Sequence, residues 1–207
     1  LQASTESKPV AVADRNDAVS VLYAFSDWDA GVELVKHGEP ITRVIPDVTS
    51  PVYADLPSIG GDRSIAADIF GYLHDVNTRT LVVRSTHVAC SPIFSSPVLK
   101  GGTITFGCHD GVVRCVRGTD LSSIVWQHET NAVVYARVCS LPTNEIAACT
   151  TAGDVIILND GIERWRCRVD GEIWSDPVTL CLAEKESEST LHLVFGARDS
   201  KLHIMKI

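Results

Sequence analysis

Short runs rich in Val, Ile, Tyr, Phe and Thr follow one another along the chain, and Gly, Asp and Pro separate them. The first group of residues favours β-strands, and the second favours turns. Asp110-Gly111 lies between two such runs and predicts a tight hairpin, because glycine tolerates a positive φ angle. Helical periodicity is weak throughout: residues 30–36 come nearest to it, and they align better with a strand. The pattern predicts an all-β chain.

A segment with an aromatic residue between small and β-branched residues recurs along the chain. Its copies include Pro51-Val52-Tyr53-Ala54-Asp55 and Glu172-Ile173-Trp174-Ser175-Asp176. The aromatic residues of the four clear copies, 41, 41 and 39 positions apart, are Tyr53, Phe94, Tyr135 and Trp174. One interval before Tyr53, Ala13-Asp14 matches Ala54-Asp55. A fixed period of this length indicates a repeat architecture.

Two further marks share this register. The segment Phe106-Gly107-Cys108-His109-Asp110-Gly111 resembles Phe195-Gly196-Ala197-Arg198-Asp199-Ser200. In addition, Trp126 and Trp165 each lie nine residues before the next aromatic residue of the first mark. Three marks in one register argue strongly against coincidence. We expect the repeated aromatic residues and the two tryptophans to pack between neighbouring repeats.

Each repeat has room for four short strands, which in the third copy we expect at about 93–99, 103–109, 112–117 and 123–128. A four-stranded repeat of about 40 residues without helices is typical of a propeller blade. One such sheet leaves both faces uncovered, and radial stacking gives it a neighbour on each side. The sequence therefore predicts one β-propeller domain of about five four-stranded antiparallel blades, at residues 8–49, 50–90, 91–130, 131–170 and 171–207.

The last copy stops at Ile207 after its third strand, which raises the question of how the ring closes. The N-terminal residues are candidates for the missing outer strand of a five-bladed ring, although residues 4–7 are polar. A fragment of a larger propeller is the alternative. Residues 183–190 are more numerous than the matching turn at 100–102, and they predict an exposed charged loop.

Composition narrows the class of partner and the compartment. The 207 residues are 45% hydrophobic and 21% charged, which is ordinary for a globular protein. The net charge of −8 argues against nucleic acid and against an anionic membrane surface, since both attract Lys and Arg. No apolar run approaches the roughly 20 residues of a membrane-spanning helix. Seven cysteines without a C-x-x-C pair indicate reduced structural thiols in a cytoplasmic protein, with a secreted protein as the alternative.

The sequence shows no catalytic or metal-binding constellation. His87 and His109 have no acid or nucleophile partner visible in the sequence, and adjacent residues of a strand point to opposite faces. Motifs of the G-x-S-x-G and H-E-x-x-H types are absent. We therefore expect no catalytic and no metal-binding residue in this chain.

One set of polar residues supports a sharper hypothesis. They stand two residues after each aromatic position of the repeat: Asp14, Asp55, Ser96, Arg137 and Asp176. The first strand of a propeller blade lines the central channel, so equivalent positions are expected to form a ring near one channel mouth. Three carboxylates beside one guanidinium would make a mostly acidic funnel that holds a cation or an amine-bearing ligand. A solvated polar mouth without a ligand is the plainer interpretation.

Several segments resemble the quinoprotein-type, PQQ-like propeller repeat. They are Ile93-Phe94-Ser95-Ser96-Pro97, the segment 106–115 and a tryptophan near the end of the repeat. The order of Tyr135-Ala136, the turn at 150–155 and Ile173-Trp174-Ser175-Asp176-Pro177 is similar to the C-terminal propeller of the beta-alanine-activating enzyme family. The resemblance is best over residues 92–207. It implies an accessory propeller that accompanies an adenylating domain and a carrier domain, and the chain has the motifs of neither.

Quinoproteins of this type bind pyrroloquinoline quinone together with calcium, through adjacent cysteines, a tryptophan floor and oxygen ligands. The chain has no Cys-Cys pair, and Trp174 stands at a packing position of the repeat. Calcium needs six to eight convergent oxygen ligands, and no D-x-[DN]-x-[DN]-G loop is present. We therefore expect no cofactor.

These observations favour a non-catalytic scaffold that binds a protein partner or a neighbouring domain, such as the adenylating enzyme that the resemblance implies. A small molecule in the central channel is a second kind of ligand to consider. A quinone-dependent dehydrogenase and a WD40-type interaction propeller are the alternatives. Of the WD40 signature, the Trp-Asp pair occurs once, at Trp28-Asp29, and the Gly-His pair is absent. Neither nucleic acid nor a membrane is expected as a partner.

Overall fold

The computed structural model describes residues 10–13, 19–23, 33–36, 42–44, 48, 50–77, 79–80, 82–184 and 188–207. These residues form 19 β-strands and no helix, as the sequence pattern predicts. Nothing in the described part of the chain is therefore a helix that could cross a membrane. The strands fall into five antiparallel sheets, and within each sheet the strands are adjacent in chain order.

We number the sheets as blades 1 to 5. Blade 1 contains β1 (Val10–Ala13), β2 (Val19–Tyr23), β3 (Glu33–Lys36) and β4 (Thr42–Val44). Blade 2 contains β5 (Ser58–Gly60), β6 (Arg63–Ala67), β7 (Tyr72–Asn77) and β8 (Val83–His87). Blade 3 contains β9 (Val98–Lys100), β10 (Thr103–Gly107), β11 (Val112–Arg117) and β12 (Asp120–Glu129).

Blade 4 contains β13 (Cys139–Ser140), β14 (Ile146–Cys149), β15 (Asp154–Asn159) and β16 (Ile162–Arg168). Blade 5 has three described strands, β17 (Val178–Glu184), β18 (Glu188–Ala197) and β19 (Lys201–Lys206). Four-stranded antiparallel meanders at the predicted period confirm the β-propeller fold. Residues 1–9 lie outside the described residues, so their proposed role as the outer strand of blade 5 stays a prediction.

The turn between the second and third strands of a blade repeats with the same backbone conformation. Gly71, Gly111 and Gly153 have φ angles of 84°, 79° and 84° in blades 2, 3 and 4, and Ser200 has 64° in blade 5. The left-handed region is open to glycine without a steric penalty. The hairpin that Asp110-Gly111 predicts is therefore confirmed, and it recurs in three further blades.

Blades 2 to 5 stack face to face through apolar side chains. We call the face of a blade that meets the following blade its forward face, and the opposite one its backward face. At each junction a third-strand residue of one blade shares an apolar cluster with a second-strand residue of the next, and both are at most 2% exposed. The pairs are Leu73 with Phe106, Val113 with Ala148, and Val155 with Phe195. Burial of each Leu, Val or Phe side chain in these pairs stabilises the fold by about 1.5–3 kcal/mol.

Two expectations about strand boundaries are wrong. The first strand of the third repeat was expected at 93–99 but covers Val98–Lys100, because Pro92 and Pro97 lack the N–H group that a sheet requires. The expected loop at 183–190 is mostly strand. Pairing of β17 with β18 continues to Glu184 and Glu188, and residues 185–187 lie outside the described residues.

Gly107 provides a test of how closely blades 3 and 4 approach each other. A methyl group at Gly107 would lie 2.1 Å from Cγ1 of Val134, whereas one at the equivalent Gly196 would lie 3.6 Å from Oγ of Ser175. We expect Gly107→Ala to lower the free energy of unfolding by about 1–3 kcal/mol, because the blades must separate. Gly196→Ala is the matched control, with a change within about 0.5 kcal/mol. Urea denaturation measures both, and equal effects would contradict this packing.

Candidate functional site

The four repeated aromatic residues form one continuous row across blades 2 to 5, which we call the aromatic arc (Tyr53, Phe94, Tyr135 and Trp174). Successive ring centroids are 5.6, 5.2 and 4.7 Å apart. Because propeller blades diverge outward, equivalent residues of consecutive blades meet at such distances only near the axis. The expected packing between repeats is confirmed for these four residues and for Trp126, whereas Trp165 is 42% exposed. Each ring nevertheless remains half-buried, so the arc also presents aromatic surface to solvent.

Arg198 ends the arc at blade 5. Its guanidinium carbon lies 4.6 Å from the centroid of the Trp174 ring, which is the distance of a cation–π contact. Glu172 completes the group: its Oε2 accepts hydrogen bonds from Nε1 of Trp174 at 2.8 Å and from Nη1 of Arg198 at 3.0 Å. A guanidinium is thus held between an aromatic face and a carboxylate at one end of the arc.

The polar residues two positions after the arc join consecutive blades. The backbone N–H of Asp55 donates to Oγ of Ser96 at 2.9 Å, and the N–H of Arg137 donates to Oδ1 of Asp176 at 2.8 Å. All four precede the first strand of their blade, so they lie in the connection that leads into it rather than in the strand itself. Asp14, the fifth member of the predicted ring, lies outside the described residues.

These hydrogen bonds change what the predicted acidic funnel can do. Ser96 and Asp176 each use a side-chain oxygen to hold the backbone of the preceding blade. An oxygen used in this way has less capacity left for a cation or an amine. The structure therefore assigns these two side chains a part in blade alignment, while ligand binding by the ring stays a prediction.

A buried polar network in blade 2 is not apparent from the sequence. Nε2 of His74 lies 3.0 Å from Oδ2 of Asp68, and Nδ1 of His74 lies 2.8 Å from Oγ of Ser85. Ser50 also donates to Oδ2 of Asp68, and the N–H groups of Phe70 and Tyr72 donate to Oδ1. Burial opposes ionisation of Asp68, but hydrogen bonds from His74, Ser50 and Tyr72 outweigh it and hold the pKa of this carboxyl below its ordinary value.

The serine, histidine and aspartate of this network have the order of contacts seen in hydrolase triads. Its counterparts in other blades indicate a structural role instead. In blade 3, Asp110 of the same turn pairs with Arg114 at 2.6 Å, and in blade 5, Asp199 lies 3.0 Å from His203. Blades 2, 3 and 5 thus tie this turn to the third strand through a carboxylate and a basic side chain. In blade 2 the carboxylate and the basic side chain, Asp68 and His74, are both buried, and the strand register pairs His74 with Ser85.

Two buried thiols of this chain, those of Cys108 and Cys149, are poor nucleophiles. All seven cysteines are free, and Cys108, Cys115 and Cys149 are buried. Burial raises the pKa of Cys108 to about 11 and that of Cys149 to about 12, so both remain protonated at neutral pH. His87 and His109, the two histidines weighed from the sequence, are exposed and contact the rings of Tyr72 and Phe94. Among the described residues there is no group of three or more His, Cys, Asp or Glu suited to a metal ion.

Comparison with known proteins identifies the fold. No protein-family model matches the sequence, and no curated protein matches it. The chain is similar in structure to Sqt1 from Saccharomyces cerevisiae, with a TM-score of 0.74 and 11% identity over 97% of this chain and 58% of that one. BamB from Moraxella catarrhalis matches with a TM-score of 0.68 and 15% identity, over 98% and 59% of the two chains.

A chain of the mitotic checkpoint complex matches with a TM-score of 0.66 and 14% identity, over 95% of this chain and 64% of that one. These three proteins are β-propellers. The chain spans about three fifths of the length of each of them. At this level of identity the likeness shows the fold alone. The resemblance to PQQ-like repeats and to the beta-alanine-activating enzyme family stays a prediction.

The network around Asp68 gives a prediction with a defined pH dependence. The lowered pKa means that the contribution of Asp68 to stability is full above the ordinary value of 3.8 and is lost as the pH falls through the folded-state pKa. We expect Asp68→Asn to lower the free energy of unfolding by about 1–3 kcal/mol at neutral pH. The difference from the unsubstituted protein should narrow below about pH 4, where Asp68 itself becomes protonated.

Denaturation in urea across this pH range measures both effects. Asp110→Asn is the matched control, since Asp110 belongs to the same turn one blade later but is exposed, and we expect a loss of at most about 1 kcal/mol. A constant difference between the Asp68→Asn variant and the unsubstituted protein down to acid pH would contradict the assignment of the charge to Asp68.

Proposed function

We propose that this chain is a non-catalytic β-propeller that binds a protein partner at the end of the axis where the aromatic arc lies. The observation that carries the proposal is the arc itself: four aromatic residues from consecutive blades form one row and stay half-buried after the blades have packed. Aromatic residues in a row near the axis are suited to protein recognition, because they give large contact areas at a low cost in conformational entropy.

The surroundings of the arc favour a partner with basic and apolar side chains. Asp55 and Asp176 lie two residues beyond arc positions, and Glu172 accepts a hydrogen bond from Trp174. Arg198 already provides an example of this recognition within the chain, since its guanidinium lies over Trp174 and pairs with Glu172. A lysine or arginine of a partner would find the same combination of aromatic face and carboxylate along the row.

The fold comparisons support protein binding in general terms. The matched structures include a mitotic checkpoint complex, which is an assembly of proteins. The propeller fold hosts both enzymes and binding modules, so the fold does not decide between them. The binding interpretation is supported by the structural use of His74 and Asp68 and by the protonated buried thiols.

The finer parts of the proposal rest on the sequence. The resemblance over residues 92–207 favours an accessory domain of an amino-acid-activating enzyme, in which case the partner is a neighbouring domain. The free cysteines favour a reducing compartment, and we propose a cytoplasmic location on that ground.

A peptide array tests the proposed arc. Immobilised peptides with a central Arg or Lys between apolar residues are compared with peptides that carry Glu at the same position. We expect the basic peptides to bind, and Tyr135→Ala to weaken the Kd about tenfold or more, because it interrupts the row between Phe94 and Trp174. Ile162→Ala, an exposed residue of blade 4 outside the arc, is the control. Preference for acidic peptides, or equal Kd values for Tyr135→Ala and Ile162→Ala, would exclude this binding mode.

A separate experiment tests the enzyme alternative. The purified protein is incubated with pyrroloquinoline quinone and calcium and then dialysed. We expect neither a bound chromophore in the absorption spectrum nor reduction of an electron-accepting dye with alcohol or amine substrates, because the chain has no adjacent cysteines. Stoichiometric retention of the quinone would overturn the non-catalytic interpretation.

A further inference from the structure

A polar cavity of about 650 Å³ lies between blades 2 and 3, on the side of the turns that join the third and fourth strands. Blade 2 lines it with residues of β6, β7 and β8, and blade 3 lines it with Thr119 and the start of β12. The cavity lies between two complete four-stranded blades rather than at an end of the described chain. Eight of its ten lining residues are polar, so it is suited to a polar ligand.

The register of the strands shows what stands at this place in the other blades. Trp126 pairs with Cys115 in blade 3, and Arg84 pairs with Asp75 in blade 2. Cys115 and Asp75 each stand four residues after the glycine of the central turn, and residues paired across antiparallel strands share a face of the sheet. In blade 4 the same position belongs to Trp165. Arg84 therefore occupies in blade 2 the position that a tryptophan occupies in blades 3 and 4.

The tryptophan fills this place at the next junction, whereas the arginine leaves it open. A methyl group at Gly161, in the turn between β15 and β16, would meet the Trp126 side chain at 3.0 Å, so that turn and the indole are in contact. The corresponding turn of blade 3 is held differently, because the carbonyl oxygen of Gly118 accepts a hydrogen bond from Nη2 of Arg63 at 3.1 Å. No side chain of the described residues fills the space between Arg84 and this turn.

The formal charges of the lining cancel, since they belong to two arginines and two aspartates, Arg63, Arg84, Asp75 and Asp120. Arg63 donates two hydrogen bonds to Asp75, of which the one from Nε is 2.9 Å long. Arg84 has no hydrogen bond or ion pair with a described residue, and Asp120 uses only Oδ1, which accepts from the N–H and the hydroxyl of Ser122. One guanidinium and one carboxylate oxygen are thus free to bind a ligand, and a ligand with a net charge of either sign would meet a like charge.

The uncharged part of the lining also offers both donors and acceptors. A hydroxyl group donates one hydrogen bond and accepts others, and the cavity has three, from Thr80, Thr86 and Thr119. Asn77 uses its side-chain oxygen for the N–H groups of residues 79 and 80, so its amide N–H groups are left to donate. The apolar remainder is Val82 and Leu121. This combination complements a neutral ligand that carries several hydroxyl groups and an apolar C–H face.

We propose that this cavity binds a small neutral saccharide of one or two rings between blades 2 and 3. Arg84 donates to hydroxyl oxygens of the sugar, Oδ2 of Asp120 accepts from its hydroxyl groups, and the C–H face of a ring lies against Val82, which is 56% exposed. The volume of the cavity falls within the roughly 300–1,000 Å³ of small-molecule sites. The cavity is separate from the aromatic arc, and the proposal does not depend on what the arc binds.

Saturation-transfer NMR with glucose, galactose, mannose, maltose and cellobiose tests the proposal, and isothermal titration calorimetry gives the Kd. We expect at least one of these sugars to bind, and Arg84→Trp to weaken its Kd about tenfold or more, because the indole fills the cavity as that of Trp126 does one blade later. Arg84→Ala, which removes an exposed side chain without partners, should fold and weaken the Kd in the same direction. Arg164→Trp, at an exposed arginine of blade 4 outside the cavity, is the matched control and should leave the Kd unchanged.

Two further measurements test the charge and the place of the ligand. Glucose 6-phosphate and glucosamine should bind no more tightly than glucose, because each brings a charge to Asp120 or to Arg84. The amide resonances of Thr86 and Thr119 should shift on addition of the sugar, while those of Tyr135 and Trp174 in the arc should not. Four results would overturn the proposal: no binding of any neutral sugar, tighter binding of a charged derivative, equal Kd values for Arg84→Trp and Arg164→Trp, and amide shifts confined to the arc.

Discussion

Blades 2 to 5 of this protein are sheets with two apolar faces, and neither face of a blade is covered by its own strands. Leu73, Val113 and Val155 occupy the same place on three consecutive forward faces, and each is fully buried by the blade that follows. The residues of the following blades that pack with them are Phe106, Ala148 and Phe195, which differ greatly in size. The spacing between neighbouring blades therefore adjusts locally at each junction. Gly107 belongs to this adjustment, because only the absence of a side chain admits Val134.

Radial stacking also explains where the candidate sites lie. Near the axis the blades are close, so equivalent residues touch: successive rings of the arc contact each other, and a backbone N–H of one blade reaches the side-chain oxygen of the next. Farther out the blades diverge, and gaps have to be filled by turns and outer strands, as Gly161 does over Trp126. A continuous recognition surface is therefore to be expected near the axis, and grooves are to be expected farther out.

Much of the fold could be predicted from the sequence, since it depends on periodic features. Three features repeat along the chain: the spacing of the aromatic residues, the glycine of the central hairpin, and the tryptophan of the last strand. They repeat because successive blades pack against their neighbours in the same way. The network of Ser50, Asp68, His74 and Ser85 could not be predicted, because two of its members lie in loops and the other two lie in separate strands, whose register pairs His74 with Ser85. The role of Ser96 and Asp176 in aligning neighbouring blades could not be predicted either, since a sequence does not show which atom of the preceding blade faces a side chain.

Blade 5 shows how a forward face looks when no described blade covers it. Leu202 and Ile204 hold the positions of Val113 and Cys115, yet they are 69% and 56% exposed where their counterparts are at most 2% exposed. The difference is not in residue type, because all four are apolar, so it lies in the absence of a covering sheet among the described residues. An apolar strand with an open edge and an uncovered face is the condition under which sheets recruit another strand. The constraint that builds the interior of this propeller thus requires the forward face of blade 5 to be covered in the way that the forward faces of blades 2 to 4 are covered.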